Sequence, residues 1–338
     1  MIPDPSTQFE LFATGGSDAD LIGTVPLPAE LEGAPAQLPA ELRLGTSNWA
    51  FPGWAGIVYG NRVGEQLLAR QGLGAYSRHP LLRAVSVDSA FYAPLAADEL
   101  RYYARMVPRD FRFVVKAHAP LTTPIDPQAR NIAVTPDVDH FLDLRYAIER
   151  VVTPVVEGLG ERLGALLFQF PPFGLPYARD PQLFVNALGA FLDALPRGPQ
   201  YAVELRNREV LGPAYSDALA RNGATHCFSV HPRMPGVLEQ ATLLGEHAWL
   251  SGTVVVRWML NPQQDYEAAR ERYFPFDRIV DPDPTNRAAV ATLLARVIGR
   301  GNEAIVIANN KAEGCAPLTL FGLARELERR AREPAPLA

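Results

Sequence analysis

Eight short, β-branched apolar runs alternate along this chain with longer stretches that carry helical spacing. The runs are Leu42–Thr46, Ala84–Asp88, Phe111–Lys116, Ala165–Phe170, Tyr201–Leu205, Thr225–Ser229, Thr253–Trp258 and Ala304–Ala308. Apolar residues recur every three or four positions over Asp98–Met106, Val138–Val151, Pro181–Leu195, Ala214–Asn222, Thr285–Ile298 and Thr319–Arg330. Strand-like runs alternating with helical ones read as βα units on a parallel sheet. Eight such units close most simply on themselves, so the expected fold is α/β, a single (β/α)8 TIM-like parallel barrel. A doubly wound open sheet would need a glycine-rich phosphate turn after an early strand, and Gly45-Thr46-Ser47-Asn48-Trp49 is no such turn.

The length of 338 residues, with 48% hydrophobic and 20% charged, suits one barrel, which commonly takes about 250 residues. Residues 1–40 are rich in Pro, Ala and Gly without a sustained period and read as an N-terminal extension; the barrel domain is expected over 41–332. Cys227 and Cys315 lack metal-ligand spacing and no secretory apolar region opens the sequence, so a reducing, cytoplasmic compartment is expected. The net charge of −5 argues against a surface that wraps nucleic acid, though a local basic cleft remains open. No apolar run approaches the roughly 20 residues that span a bilayer, so no membrane partner is expected.

Strand parity then places the polar residues, because alternate side chains of a barrel strand face opposite ways. In Tyr201-Ala202-Val203-Glu204-Leu205-Arg206 the apolar set suits the helix side, which leaves Ala202, Glu204 and Arg206 on the axis. The same alternation turns Ser86 and Asp88, Lys116 and His118, Gln169, and Arg257 inward, and sends Trp258 outward. These residues cluster at the C-terminal ends of their strands, where barrels of this type build their sites. Glu204, Asp88 and Lys116 are the candidate catalytic groups. Arg206, Arg257, His118, Gln169, Asn48, Trp49, Tyr92, Asn310 and Lys311 are the candidate substrate-binding groups, with Trp49, Phe51, Trp54, Phe91 and Tyr92 as a stacking wall or as loop packing.

The plainer reading of the charges is an internal ion network. Desolvating Asp88, Lys116, Glu204, Arg206 and Arg257 around one axis is expensive, however, and a purely structural barrel would fill those places with Val and Leu. On the sixth strand only one of His226 and Cys227 can face inward, and a small buried cysteine is usually packing. His79, His140, His231 and His247 read as surface. Only His118, Asp88 and Glu204 could converge on a metal, beside repelling cations, so no metal and no cofactor is expected.

Several runs together carry a family resemblance. Gly45-Thr46-Ser47-Asn48-Trp49-Ala50-Phe51-Pro52-Gly53-Trp54 with Tyr59, then Val85-Ser86-Val87-Asp88-Ser89-Ala90-Phe91-Tyr92, resembles the opening of the domain of unknown function 72 family, the YecE-like proteins. Phe113-Val114-Val115-Lys116, Leu167-Phe168-Gln169-Phe170-Pro171-Pro172, Ala202-Val203-Glu204-Leu205-Arg206, Val256-Arg257 and Asn309-Asn310-Lys311-Ala312-Glu313-Gly314-Cys315-Ala316-Pro317 follow in order. The resemblance spans about Leu42 to Leu327 and implies a TIM-like barrel, but no activity. This chain departs from the family's usual pattern at Ser86, where Glu is usual, and at Asn207 and Val210, where His and Trp are usual. The usual Thr-His pair after the third-strand lysine is also missing from Ala117-His118-Ala119-Pro120.

Three function classes fit these residues. One is an enzyme acting on a small anionic molecule, in which Arg206, Arg257 and Lys116 neutralise a phosphate or carboxylate while Glu204 or Asp88 moves a proton. The second is nucleic-acid binding or processing, with the same cations on a backbone phosphate and the aromatics on bases. The third is a non-catalytic ligand-binding barrel. A small anionic partner is favoured over nucleic acid.

Overall fold

The structure is a computed structural model and describes residues 22–124, 140–172, 174, 177–245, 249 and 252–332. Its strands are β1 (Leu42–Thr46), β2 (Leu82–Val87), β3 (Arg112–Lys116), β4 (Leu163–Gln169), β5 (Tyr201–Glu204), β6 (Thr225–His226), β7 (Phe228–Val230), β8 (Val254–Trp258) and β9 (Ala304–Ala308). All pair in parallel in the order β6-β5-β4-β3-β2-β1-β9-β8-β7. The two end segments, β6 and β7, are halves of the expected sixth strand, parted at Cys227. The lower half pairs with β5 and the upper half with β8, while the Cys227 N–H still donates to the Val203 carbonyl at 2.8 Å. One stave is thus shared between two neighbours, and the sheet forms a nearly closed parallel α/β barrel.

Two separate apolar clusters follow from the strand parity. Ala84, Val114, Ala165, Leu167, Ala202, Cys227, Val255, Ile305 and Ile307 fill the barrel's middle. Val85, Phe113, Leu166, Tyr201, Val203, Leu205 and Trp258 belong to the outer core under the helices. β1 and β2 approach so closely that a Cβ on Gly45 would lie 2.1 Å from the Ala84 carbonyl oxygen, at a point where their register shifts, so only glycine fits there. Below the apolar tier, Arg43 pairs with Glu303 at 3.2 Å and donates to the Asp110 carbonyl at 3.0 Å. The interior therefore runs from an ion-paired floor through an apolar plug to a polar top.

The outer ring holds the expected helices at Ala97–Arg105, Pro181–Ala194, Pro213–Arg221, Pro284–Ile298 and Ala316–Arg332. Asp180 and Asp283 cap two of them through backbone N–H groups, each followed by proline at the first helical position. The helical pattern expected over Val138–Val151 begins at Leu144, passes through a π turn at Ile148–Val152 and ends at Leu159; positions 138 and 139 lie outside the described residues. Two further helices, Glu65–Ser77 and Val237–Leu244, complete the ring. Gly72 and Gly74 blur the pattern of the first, and the second is only 8 residues long.

The second half of the expected extension packs into the fold. Ile22, Leu31 and Ala34 are buried in the outer core, and Thr24 forms a β-bridge with Tyr59. The apolar spacing there is too sparse to show a period, so composition alone reads it as loose. Leu31→Ala should lower stability by about 3 kcal/mol, as for a core leucine, with a matching fall in the chemical denaturation midpoint. An unchanged midpoint would mean that the segment is an appendage after all.

Candidate functional site

The polar tier is built by one or two inward positions at the end of each stave. Asp88 follows β2, Lys116 ends β3, Gln169 ends β4, Glu204 ends β5 with Arg206 two residues beyond it, and Arg257 lies near the end of β8. Arg257 is the hub. Its Nη1 reaches Glu204 Oε2 at 2.6 Å and its Nη2 reaches Asp88 Oδ2 at 2.8 Å. Arg206 Nη2 pairs with Glu204 Oε1 at 2.6 Å, and Ser86 Oγ donates to Asp88 Oδ1 at 2.6 Å. Glu204 is fully buried and the Arg257 side chain is 2% exposed, whereas Asp88 is 29% exposed.

Burial works against the charge on Glu204, but attraction and hydrogen bonds from Arg206 and Arg257 outweigh it and hold its carboxyl well below the usual range. Burial likewise disfavours the Arg257 charge, and Asp88 and Glu204 more than restore it. Glu204 is therefore a permanent anion that organises two guanidiniums. Glu204→Gln should cost about 3 kcal/mol or more in urea unfolding, because it leaves buried cations without their counter-charge.

Lys116 differs from the arginines. It makes no ion pair among the described residues, and its Nζ lies 3.5 Å from the centroid of the Phe91 ring. Burial pulls its pKa down to about 8; the Asp88 charge opposes that fall and the Arg257 charge reinforces it. Next on the same face, His118 Nδ1 lies 2.8 Å from the Tyr146 hydroxyl, and its pKa is lowered by burial. Gln169 stands in register beside Glu204.

Other residues singled out from the sequence fall into supporting positions. Asn48 Oδ1 accepts the N–H groups of Trp49 and Ala50 and so shapes the turn after β1. The Trp49 ring is buried in the outer core against Tyr103, with Nε1 donating to the Leu68 carbonyl at 3.1 Å. Trp54 is fully buried and donates to Asn310 Oδ1 at 3.2 Å, which also accepts the Ala316 N–H. These two tryptophans thus form no stacking wall, and Asn310 braces loops. Tyr92 is 67% exposed beside Phe91, and Lys311 Nζ lies 4.2 Å from the Tyr266 ring centroid.

Of the histidines expected on the surface, His79 is buried and stacked on Phe321, with its pKa lowered to about 4 by burial. His231 is partly buried, and burial together with the Arg206 charge lowers its pKa to about 3. Parity along Cys227, Ser229 and His231 was the signal that could have placed it inward. His140 stacks on Tyr146, and His247 lies outside the described residues. Parity likewise pointed to Ser47 and Asn309, which the sequence reading passed over; Asn309 Nδ2 donates to Ser47 Oγ at 2.8 Å across the β1–β9 seam. His226 faces outward between Tyr215 and Gln240, and Cys227 faces the apolar plug with its thiol pKa raised by burial.

Outside the barrel, grooves of about 330 Å3 beside Arg101 and Glu157 and about 380 Å3 beside Phe141 and Phe191 contain none of the inward polar groups. Among the described residues no group of three or more His, Cys, Asp and Glu could hold a metal, and no helix is long and apolar enough to cross a membrane.

The reluctant Lys116 charge should be visible in stability. Unfolded lysine titrates at about 10.4, above the folded value of about 8. Between those values the unfolded chain binds more protons, so stability rises with pH across that window. Lys116→Met should be more stable than the parent at pH 7, and its advantage should shrink as pH climbs from about 8 to about 10. Paired melting curves against pH check this, and a pH-independent difference would contradict it.

A family model described as "Protein of unknown function DUF72" matches residues 43–338. Among solved structures, a DUF72 family protein from Enterococcus faecalis V583 aligns with a TM-score of 0.56 at 17% identity, covering 88% of this chain and 100% of that one. One from Thermotoga maritima MSB8 gives 0.52 at 18%, covering 86% and 99%. No curated protein matches the sequence. At such identities the solved structures speak for the shared barrel alone, while the family model spans nearly all of it. The chain belongs to the DUF72 family of proteins of unknown function.

Proposed function

We propose that the barrel mouth binds, and acts on, a small molecule bearing a phosphate or carboxylate group. The observation that carries this reading is the unmatched ammonium of Lys116. Three cations, Lys116, Arg206 and Arg257, share the upper tier with two carboxylates, Asp88 and Glu204, and both carboxylates are engaged by arginine. A partly buried positive charge left without a paired anion among the described residues, in a protein of net charge −5, suits an anionic ligand, since low-dielectric walls focus its field. Lys311, on the turn after β9, adds a second cation where barrels often hold a phosphate. The arginines serve mainly to fix the carboxylates. Of those two, the solvent-reachable Asp88 is the better placed to move a proton, and the buried Glu204 positions its neighbours.

Inorganic phosphate should raise the melting temperature in a saturating manner, by the equivalent of about 2.7 kcal/mol at about 100 times the dissociation constant. Chloride at matched ionic strength should not reproduce the effect. Lys116→Arg, which keeps the charge, should retain most of the response, and Lys116→Met should lose it. An undiminished response in Lys116→Met, or stabilisation by divalent cations instead, would overturn the reading.

A further inference from the structure

The chain's use of cations is lopsided. Of its 32 Lys and Arg residues, 30 are arginine and two are lysine, Lys116 and Lys311. Both lysines lie at the C-terminal end of the barrel, Lys116 as the last residue of β3 and Lys311 on the turn after β9. Arginine serves the ion pairs of the floor, the mouth and the outer helices, as in Arg43–Glu303, Arg257–Glu204 and Arg330–Glu326. Neither lysine makes an ion pair among the described residues. Where this chain needs only a positive charge it uses arginine. What lysine offers in addition is a proton it can lose and a nitrogen lone pair that can attack carbon.

We propose that Lys116 is an amine nucleophile directed at a carbonyl: its Nζ forms a C–N bond with the carbonyl carbon of a small aldehyde or ketone that also carries an anionic group. This rests on the anionic-ligand reading above and names the electrophile that the same mouth accepts. In the first step the nitrogen lone pair forms the new bond and the carbonyl π pair moves to oxygen, which takes up the proton released by nitrogen. In the second, the hydroxyl takes the proton that Nζ gave up on leaving the ammonium form, the C–O bond breaks, water leaves and nitrogen closes the C=N bond of an iminium. One water is lost, nothing is oxidised or reduced, and no further reactant is required.

Burial makes the charged form of Lys116 costly. Arg257 from β8 and Arg206 just after β5 add to that by repelling a proton on Nζ, while Asp88, Glu204 and the Phe91 ring face, 3.5 Å away, attract one; burial outweighs them and lowers the hold of Nζ on its proton. With the pKa down at about 8, about a tenth of Lys116 is free amine at pH 7, against well under one part in a thousand for an ordinary lysine. Asp88, the carboxylate whose charge acts most strongly on Lys116 and the one open to solvent, is placed to carry the proton from nitrogen to the departing oxygen.

With two lysine amines and one α-amine, the whole protein can be assayed by mass. The probes are glyoxylate, an anionic aldehyde, and glycolaldehyde, a neutral one, each followed by sodium borohydride, which reduces an iminium to a stable secondary amine. The parent should gain a lysine adduct mapped by peptide mass to Lys116 at roughly tenfold or more over Lys311, with the α-amine, which titrates in the same range, counted separately. Lys116→Arg should lose that adduct while still melting in one cooperative transition, which reports that it is folded; Lys311→Arg should keep the adduct. An adduct spread evenly over the two lysines would overturn the proposal, as would a phosphate response without any Lys116 adduct, which would leave the anion reading standing. A Lys116 adduct with glycolaldehyde in a protein that ignores phosphate would do the reverse, keeping the nucleophile and sinking the anionic ligand.

Discussion

The upper half of this barrel depends on one guanidinium. Arg257 ties the end of β8 to β5 through Glu204 and to the turn after β2 through Asp88, so a single side chain spans the axis and fixes three staves. Removing two carboxylates and two arginines from water carries a large desolvation penalty, offset only by short, well-directed contacts. Because those contacts use up the carboxylates, Lys116 is left as the odd charge. The arrangement of the mouth and the reactivity argued for Lys116 are two consequences of the same pairing.

Much of this was legible in the sequence because a barrel stave obeys a period of two. The division of Ala202 and Glu204 from Val203 and Leu205 follows from alternation alone, and Ala84, Val114 and Val255 obey it in the same way. Alternation says which face a residue takes but not what it touches. It could therefore bring Arg257, Glu204 and Asp88 to one place without revealing that the arginine is consumed by both carboxylates. It is silent in loops, where Trp49 and Trp54 turn into the outer core for the sake of apolar burial and of single N–H bonds to Leu68 and Asn310. It also gives no warning of His79, whose burial depends on a stacking partner, Phe321, far along the chain.

Ser86 takes an inward position on β2, and its hydroxyl donates to Asp88, orienting a carboxylate rather than supplying one. A glutamate at that position would bring a third anion to the tier and a natural partner for Lys116.

The stave shared between β5 and β8 gives that mouth a mechanical character. Its lower half is held to β5 by two residue pairs and its upper half to β8 by three, against five between β8 and β9, so no one continuous run of pairing carries the wall from β5 to β8. Glu204 and Arg257 stand on either side of this arc, and their ion pair acts as a tie rod across the thin part of the wall. A ligand that drew Arg257 toward itself would slacken the rod, and one that bound while leaving it in place would not. Occupancy of the mouth and stiffness of the wall are therefore linked through one side chain, so that compliance of this arc is itself a report of how a bound molecule engages the arginine.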